Sequence, residues 1–168
     1  MAPDTDGFRR VMGFFATGVT VVTTALGDQL HGMTANAFCS VSLDPSLVLV
    51  CIERRSQTHA MLARSGVFAV NILSEDQEEL SRLFAISNPP ESDPFSDVRY
   101  RLGVTGAPIL EDCLAFAECR VAASYPGGDH TVFLGHVKDM GVLREAQPLL
   151  FYRSGYRSLP SHGDPSPL

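Results

Sequence analysis

The 168-residue chain is poor in charge: Asp, Glu, Lys and Arg make up 19 % of it, against 45 % hydrophobic residues. This is the apolar end for a small domain, so part of the apparent surface must be covered. A homodimer is the simplest cover, because a two-fold interface turns an exposed apolar face into core. Cationic residues are the scarcer sign. The 13 Lys and Arg against 19 Asp and Glu give a net charge of −6, and no basic cluster is longer than the pair in Glu53-Arg54-Arg55. Without a basic footprint, binding of a nucleic-acid polymer is excluded.

Several chemical signatures are also missing. No GxGxxG opens a helix after a strand and no glycine loop ends in Gly-Lys-Ser or Gly-Lys-Thr, which disfavours a Rossmann or P-loop nucleotide site. There is no HExxH, and His31, His59, His130, His136 and His162 are scattered, so a metal site would need convergence by packing alone. No GxSxG elbow presents a serine nucleophile. Cys39, Cys51, Cys113 and Cys119 lack CxxC spacing and lie in apolar or strand-like stretches. They read as small buried hydrophobes in a reducing compartment. The apolar stretch Phe14 to Ala25 is interrupted by Thr17, Gly18, Thr20, Thr23 and Thr24, is too short to span a bilayer, and has no secretory pattern. A cytoplasmic protein without a membrane segment is expected.

What is present is strand. Val19 to Thr24 is β-branched and meets Gly27-Asp28, which predicts a strand entering a hairpin whose return is Gly32 to Phe38. Leu47 to Ile52 is almost continuously apolar, so it is expected at the centre of a sheet, buried on both faces. Val67 to Leu73, Leu114 to Tyr125, His130 to Met140 and Leu149 to Tyr152 are further strands, with a hairpin-like region at Gly106 to Leu110. Helical spacing predicts short helices over Thr5 to Ala16, capped by Asp4 or Thr5; over Ser56 to Ser65, with Thr58 as cap; and over Asp76 to Phe84. The prolines of Asn88 to Pro94 force irregular chain, and Ser154 to Leu168 is a Pro, Ser and Gly-rich tail, mobile over 158–168. Many strands with irregularly placed helices predict a single, mainly β domain over residues 1–168, a barrel with short flanking helices.

Two polar segments stand out against this apolar background. Thr34-Ala35-Asn36-Ala37-Phe38-Cys39-Ser40-Val41-Ser42 offers hydroxyls, an amide and backbone N–H groups beside small residues, enough for the pyrimidine edge or ribityl chain of a flavin. It reads equally as a polar lead-in to a strand, with Asn36 in a turn. In Arg54-Arg55-Ser56-Gln57-Thr58, hydroxyls and a helix start would hold a phosphate, or would simply cap the helix. Gly127-Gly128-Asp129-His130 lies between two strands, where His130 is either a ligand-facing residue or a turn residue satisfied by Asp129.

The run Phe15 to Thr23, Thr34 to Phe38, Ser40 to Pro45, Phe68 to Leu73, and Gly128-Asp129-His130 with Phe133 to Val137 together closely resemble the flavin reductase family with the FMN-binding split barrel. The resemblance runs over roughly residues 8 to 157 in one order. It implies a homodimeric split β-barrel of Greek-key topology that binds FMN or FAD and uses NADH, or NADPH, to make reduced flavin for a separate monooxygenase. It places ring and ribityl contacts at Thr34, Ala35, Asn36, Ala37 and Phe38 and around Cys51, phosphate contacts near Ser40, Ser56 and Thr58, and Phe84 along the cofactor. His130 would serve the nicotinamide side as the catalytic residue, helped by Tyr152 or Arg157. An oxidoreductase that retains FMN for another small molecule, and a non-catalytic flavin- or haem-binding split barrel, are the alternatives.

Overall fold

The structure, a computed structural model, describes residues 4–86 and 93–160. The expected residues Asn88 to Ser92 and the tail beyond Pro160 lie outside the described residues. Three α-helices and twelve strands are present among them: α1 Thr5–Met12, β1 Thr17–Gly18, β2 Thr20–Leu26, β3 Gln29–Ala35, β4 Phe38–Leu43, β5 Ser46–Glu53, α2 Gln57–Ser65, β6 Val67–Ile72, α3 Glu78–Phe84, β7 Tyr100–Leu102, β8 Pro108–Leu110, β9 Ala115–Gly127, β10 His130–Val142, β11 Leu150–Tyr152 and β12 Gly155–Arg157. A 3-10 turn, Glu75–Gln77, leads into α3. No helix among the described residues is long and apolar enough to cross a membrane.

Seven strands form one antiparallel sheet in the order β3-β2-β6-β9-β10-β5-β4. β3 and β4 are therefore its opposite edges, yet only Asn36 and Ala37 separate them in the chain. Three Cα steps span at most about 11 Å. The sheet must curl until its edges meet at that crossing, and the result is the expected split barrel. Phe38 N donates to Asn36 O and Cys51 N to Ala37 O, each at 3.0 Å, so the crossing is tied to β5.

Alternation along the strands sorts side chains to two sides. Val22, Val48, Val50, Ile52, Phe68, Val70, Cys119 and Phe133 fill the interior, joined by Leu62 of α2. Val19, Val21, Leu73, Phe84, Phe95, Leu110, Cys113 and Leu149 form a second cluster under α3 and β11. Gly135 is dictated by the interior: a Cβ there would lie 2.3 Å from the Phe68 ring. On the outer side, buried Asn71 donates to Val21 O (3.1 Å) and to Thr23 Oγ1 (3.2 Å) and accepts from Leu110 N (2.8 Å). Buried Glu118 accepts from Val104 N at 2.8 Å and from Thr105 N and Oγ1, both at 2.5 Å, pinning the β7–β8 hairpin against β9.

Several expectations are corrected. β5 is not central; it lies one strand from the edge, with Val48, Val50 and Ile52 buried and Leu47, Leu49 and Cys51 half-exposed. The doubly buried strands are β2 and β6, each flanked by strands and covered on its outer side. The return strand expected over Gly32 to Phe38 is β3, which begins at Gln29 and ends at Ala35, before the crossing to β4. Helix α1 stops at Met12, and its cap is Asp4, whose carboxylate accepts from Gly7 N. The cap of α2 is Ser56, not Thr58, because Ser56 Oγ accepts from His59 N. Asp76 lies in the 3-10 turn, where it accepts from Ser74 and Arg144. All four cysteines are free; burial pushes the Cys113 thiol up to about 11 and Cys119 to about 12, whereas Cys39 is exposed on β4.

Replacing Gly135 with Ala forces a methyl into the Phe68 ring. The expected loss is about 1–3 kcal/mol of stability, as for other overpacked cores, read as a lower urea midpoint at unchanged slope.

Candidate active site

Two adjoining clefts open beside the β3–β4 crossing. The first, about 310 Å³, is lined by His31 to Thr34 of β3, Glu53 and Arg55 to Thr58 at the start of α2, and Phe84 to Ile86 at the end of α3. The second, about 240 Å³, is lined by Val19, Thr34, Ala35, Asn36, Ala85, Phe151 and Tyr156. Thr34 and Ala85 belong to both, so the clefts form one groove along the split edge of the barrel.

One end of this groove suits an anion. Within α2, Ser56 Oγ takes the N–H of His59 and Ser56 O takes that of Ala60, which leaves the N–H groups of Gln57 and Thr58 at the positive end of the helix. Arg55 adds a guanidinium on the same lining. Thr58 is fully buried, with Oγ1 2.9 Å from His31 Nδ1. Burial holds the His31 imidazole below its usual range, partly offset by a hydrogen bond that the ring donates to the Gln57 side chain.

The other end is aromatic. Phe151 and Tyr156 face each other across β11 and β12 with ring centres 5.6 Å apart, and Arg82 stacks over Tyr156 at 5.0 Å. Tyr156 Oη and Ser81 Oγ are 2.8 Å apart, while Thr34 Oγ1 donates to Ser81 O at 2.6 Å. Ser81 of α3 thus joins the edge strand to the closing hairpin. Gly32 sets the spacing above it: a Cβ would lie 2.8 Å from the Phe84 ring, so α3 rests directly on the β3 backbone.

A groove with hydroxyls, a helix start and a cation at one end and aromatic rings at the other suits a molecule with a phosphate tail and a flat head. The model of the flavin reductase like domain matches residues 12–160. The chain belongs to this flavin reductase family. Among relatives, an NADH-dependent flavin reductase of a Rhodococcus species is 43 % identical over 163 residues, covering 95 % of this chain and 89 % of that protein. The HsaB reductase subunit of a flavin-dependent monooxygenase from Rhodococcus jostii is 38 % identical over 167 residues, 99 % of this chain and 84 % of that protein. The NADH:FAD oxidoreductase SgcE6 of Streptomyces globisporus, solved with NAD and FAD fragments, superposes with a TM-score of 0.89 at 40 % identity over 96 % of each chain.

Against this flavin reductase groove, the residues anticipated from sequence divide. Thr34, Ala35, Asn36, Ser56, Thr58 and Phe84 line it. Ala37 is exposed at the crossing, Phe38 packs against the interior cluster, Ser40 is exposed on edge strand β4, and Cys51 sits half-buried on the outer face of β5. Tyr152 and Arg157 are one position out of phase: the lining residues are Phe151 and Tyr156, paired in register. His130 lies opposite Glu53 in the β10–β5 register, at the phosphate-like end but off the lining, with Nδ1 2.8 Å from Asp129 Oδ1. Arg55 and Gln57 belong to the stretch expected to hold a phosphate, whereas His31 and Ser81 carry no role in the sequence reading; a two-residue period in the closing hairpin is the one signal that points to Phe151 and Tyr156.

Tyr156→Phe keeps the ring between Phe151 and Arg82 and removes its bond to Ser81. The expected cost is about 0.5–1.5 kcal/mol in urea unfolding.

Proposed function

We propose that this chain transfers hydride from NADH to FAD or FMN and releases the reduced flavin to a separate monooxygenase. The observation that carries this reading is the continuous groove through Thr34 and Ala85, polar at the Ser56–Thr58 end, where a helix start stands beside Arg55 and Glu53, and aromatic at the Phe151–Tyr156 end. The NADH dependence named for the Rhodococcus relative and the monooxygenase role named for HsaB support the same assignment.

The residues fit the flavin. Arg55, Ser56, Thr58 and the first N–H groups of α2 would take the phosphate, and the small side chains of Ala35 and Asn36 leave room for a flat ring against the crossing. When bound, the flavin supplies the redox chemistry. The chain's own part is to hold two flat rings face to face and to offer hydrogen-bond donors where charge accumulates. Two electrons and a proton pass as hydride, and a second proton comes from solvent. His130 is assigned to orienting the nicotinamide by the family motif alone; on one chain it is half-exposed beside Glu53 and off the lining, so this role requires the donor to reach across that end of the groove.

A homodimer completes this reading. The outer face of β4 and β5 leaves Val41 at 48 % and Leu43 at 94 % exposure beside half-exposed Leu47 and Leu49, and α1 carries exposed Phe8, Val11 and Met12. The charge-poor composition supports covering these surfaces with a second copy.

NADH oxidation by the purified protein should rise with added FAD or FMN and saturate; a rate that ignores free flavin rejects the release step. Sedimentation should give a dimer, with Leu49→Asp shifting it toward monomer. His130→Ala should slow stopped-flow flavin reduction by roughly tenfold to a hundredfold at unchanged flavin affinity and melting temperature. Unaltered reduction together with weakened flavin binding would move His130 to the flavin side.

A further inference from the structure

His31 has no part in the site as the motifs describe it, yet it stands inside the phosphate end of the groove. It is half-buried on β3, opposite Thr24 in register, and its Nδ1 meets the hydroxyl of fully buried Thr58. The charged groups of the same lining are Glu53 and Arg55; from α2, Gln57 is neutral and His59 turns its Nε2 away to Thr131 Oγ1 at 2.9 Å. From α3, only uncharged Phe84 and Ala85 face it.

The hydrogen bond between these two side chains has two senses. In the neutral ring, whose one N–H is the donor to Gln57, Nδ1 accepts and the Thr58 O–H is spent on His31. With an imidazolium, Nδ1–H donates to Thr58 Oγ1, and Thr58 becomes the fixed acceptor that holds the charged ring in place. We propose that His31 is an anion-responsive positioning residue: entry of the flavin's phosphate end draws one proton from solvent onto His31, which reverses its bond to buried Thr58 and sets a positive charge on the groove wall beside the phosphate. This rests on the placement of the phosphate beside Ser56 and Thr58.

The sign follows from linkage. Burial keeps His31 below its usual range and so neutral near pH 7 in the free protein, while an adjacent anion favours the imidazolium. Binding then takes up a proton in the window between the free and bound values. FAD affinity is highest below that window, falls by up to about tenfold per pH unit as pH rises through it, and is flat above. FAD is the suitable probe, because the second ionisation of a phosphate monoester, as in FMN, falls near pH 6 and would add its own slope.

Binding of FAD and of riboflavin, which lacks phosphate, is followed by fluorescence quenching from about pH 5.5 to about pH 8.5, across the histidine range. Calorimetry in two buffers of different ionisation enthalpy counts the protons taken up. Wild type should lose FAD affinity as pH rises, with riboflavin affinity constant and net proton uptake on FAD alone. His31→Asn, which still bonds Thr58 but binds no proton, should flatten the FAD profile and abolish uptake, at a melting temperature close to wild type. A wild-type profile with FAD preferred over riboflavin but no slope and no uptake overturns the role of His31 alone. The same slope retained in His31→Asn does so too. Equal binding of FAD and riboflavin at every pH removes the phosphate from this groove and overturns both the placement and the inference. If His31→Asn fails to fold, His31→Gln supplies the same comparison, and a wild-type proton count of zero overturns the inference by itself.

Discussion

The two-residue crossing at Asn36-Ala37 is the constraint on which the rest of the molecule depends. Because the chain passes from one edge of a seven-stranded sheet to the other in about 11 Å, the sheet has to close there. Closure brings the free edge of β3 alongside the start of α2, and it sets a stretch of small and polar residues where the barrel is split. The ligand groove is the gap left by that geometry. A longer connection would relax the curl and, with it, the distance between Thr34 and Thr58.

Around this gap the chain uses rigid elements in place of loops. β3 supplies one wall, α3 rests on it through Phe84, and α2 presents its helix start. Ser81 links Thr34 to Tyr156, so the edge strand, a helix and the C-terminal hairpin hold their positions jointly. Preorganisation of this kind matters for hydride transfer, where ring separation and orientation govern the rate more than any acid or base does. The second cluster backs the groove directly, since Val19 and Phe84 belong to both and Phe151 and Tyr156 pack against it, while the Asn71 and Glu118 networks anchor the connections away from it.

Much of this was legible in the sequence, and the failures have physical causes. Strand runs are readable because β-branched residues and period-two alternation are local, and the family motifs name the polar half of the groove. The position of β5 was misjudged because a continuous apolar run signals two buried faces, while a single chain buries only one of them. Phe151 and Tyr156 line the groove, and Tyr152 and Arg157 do not, because register with β1 turns that face of the short hairpin inward; nothing local in the sequence tells which face it will be. His31 was missed for another reason. Its meaning comes from Thr58, and only the closed barrel brings those two residues together.

The contact of Phe84 with Gly32 carries a wider implication. The height of the slot beneath α3 is governed by an atom that is missing, a single absent methyl on the floor of β3. Aperture in this scaffold is therefore adjustable by the smallest change a codon can make, without touching any group that bonds a ligand. Clearance at the Ser56–Thr58 end would then drift independently of the aromatic wall of Phe151 and Tyr156, letting one barrel alter its fit at one end of the groove and not its chemistry at the other.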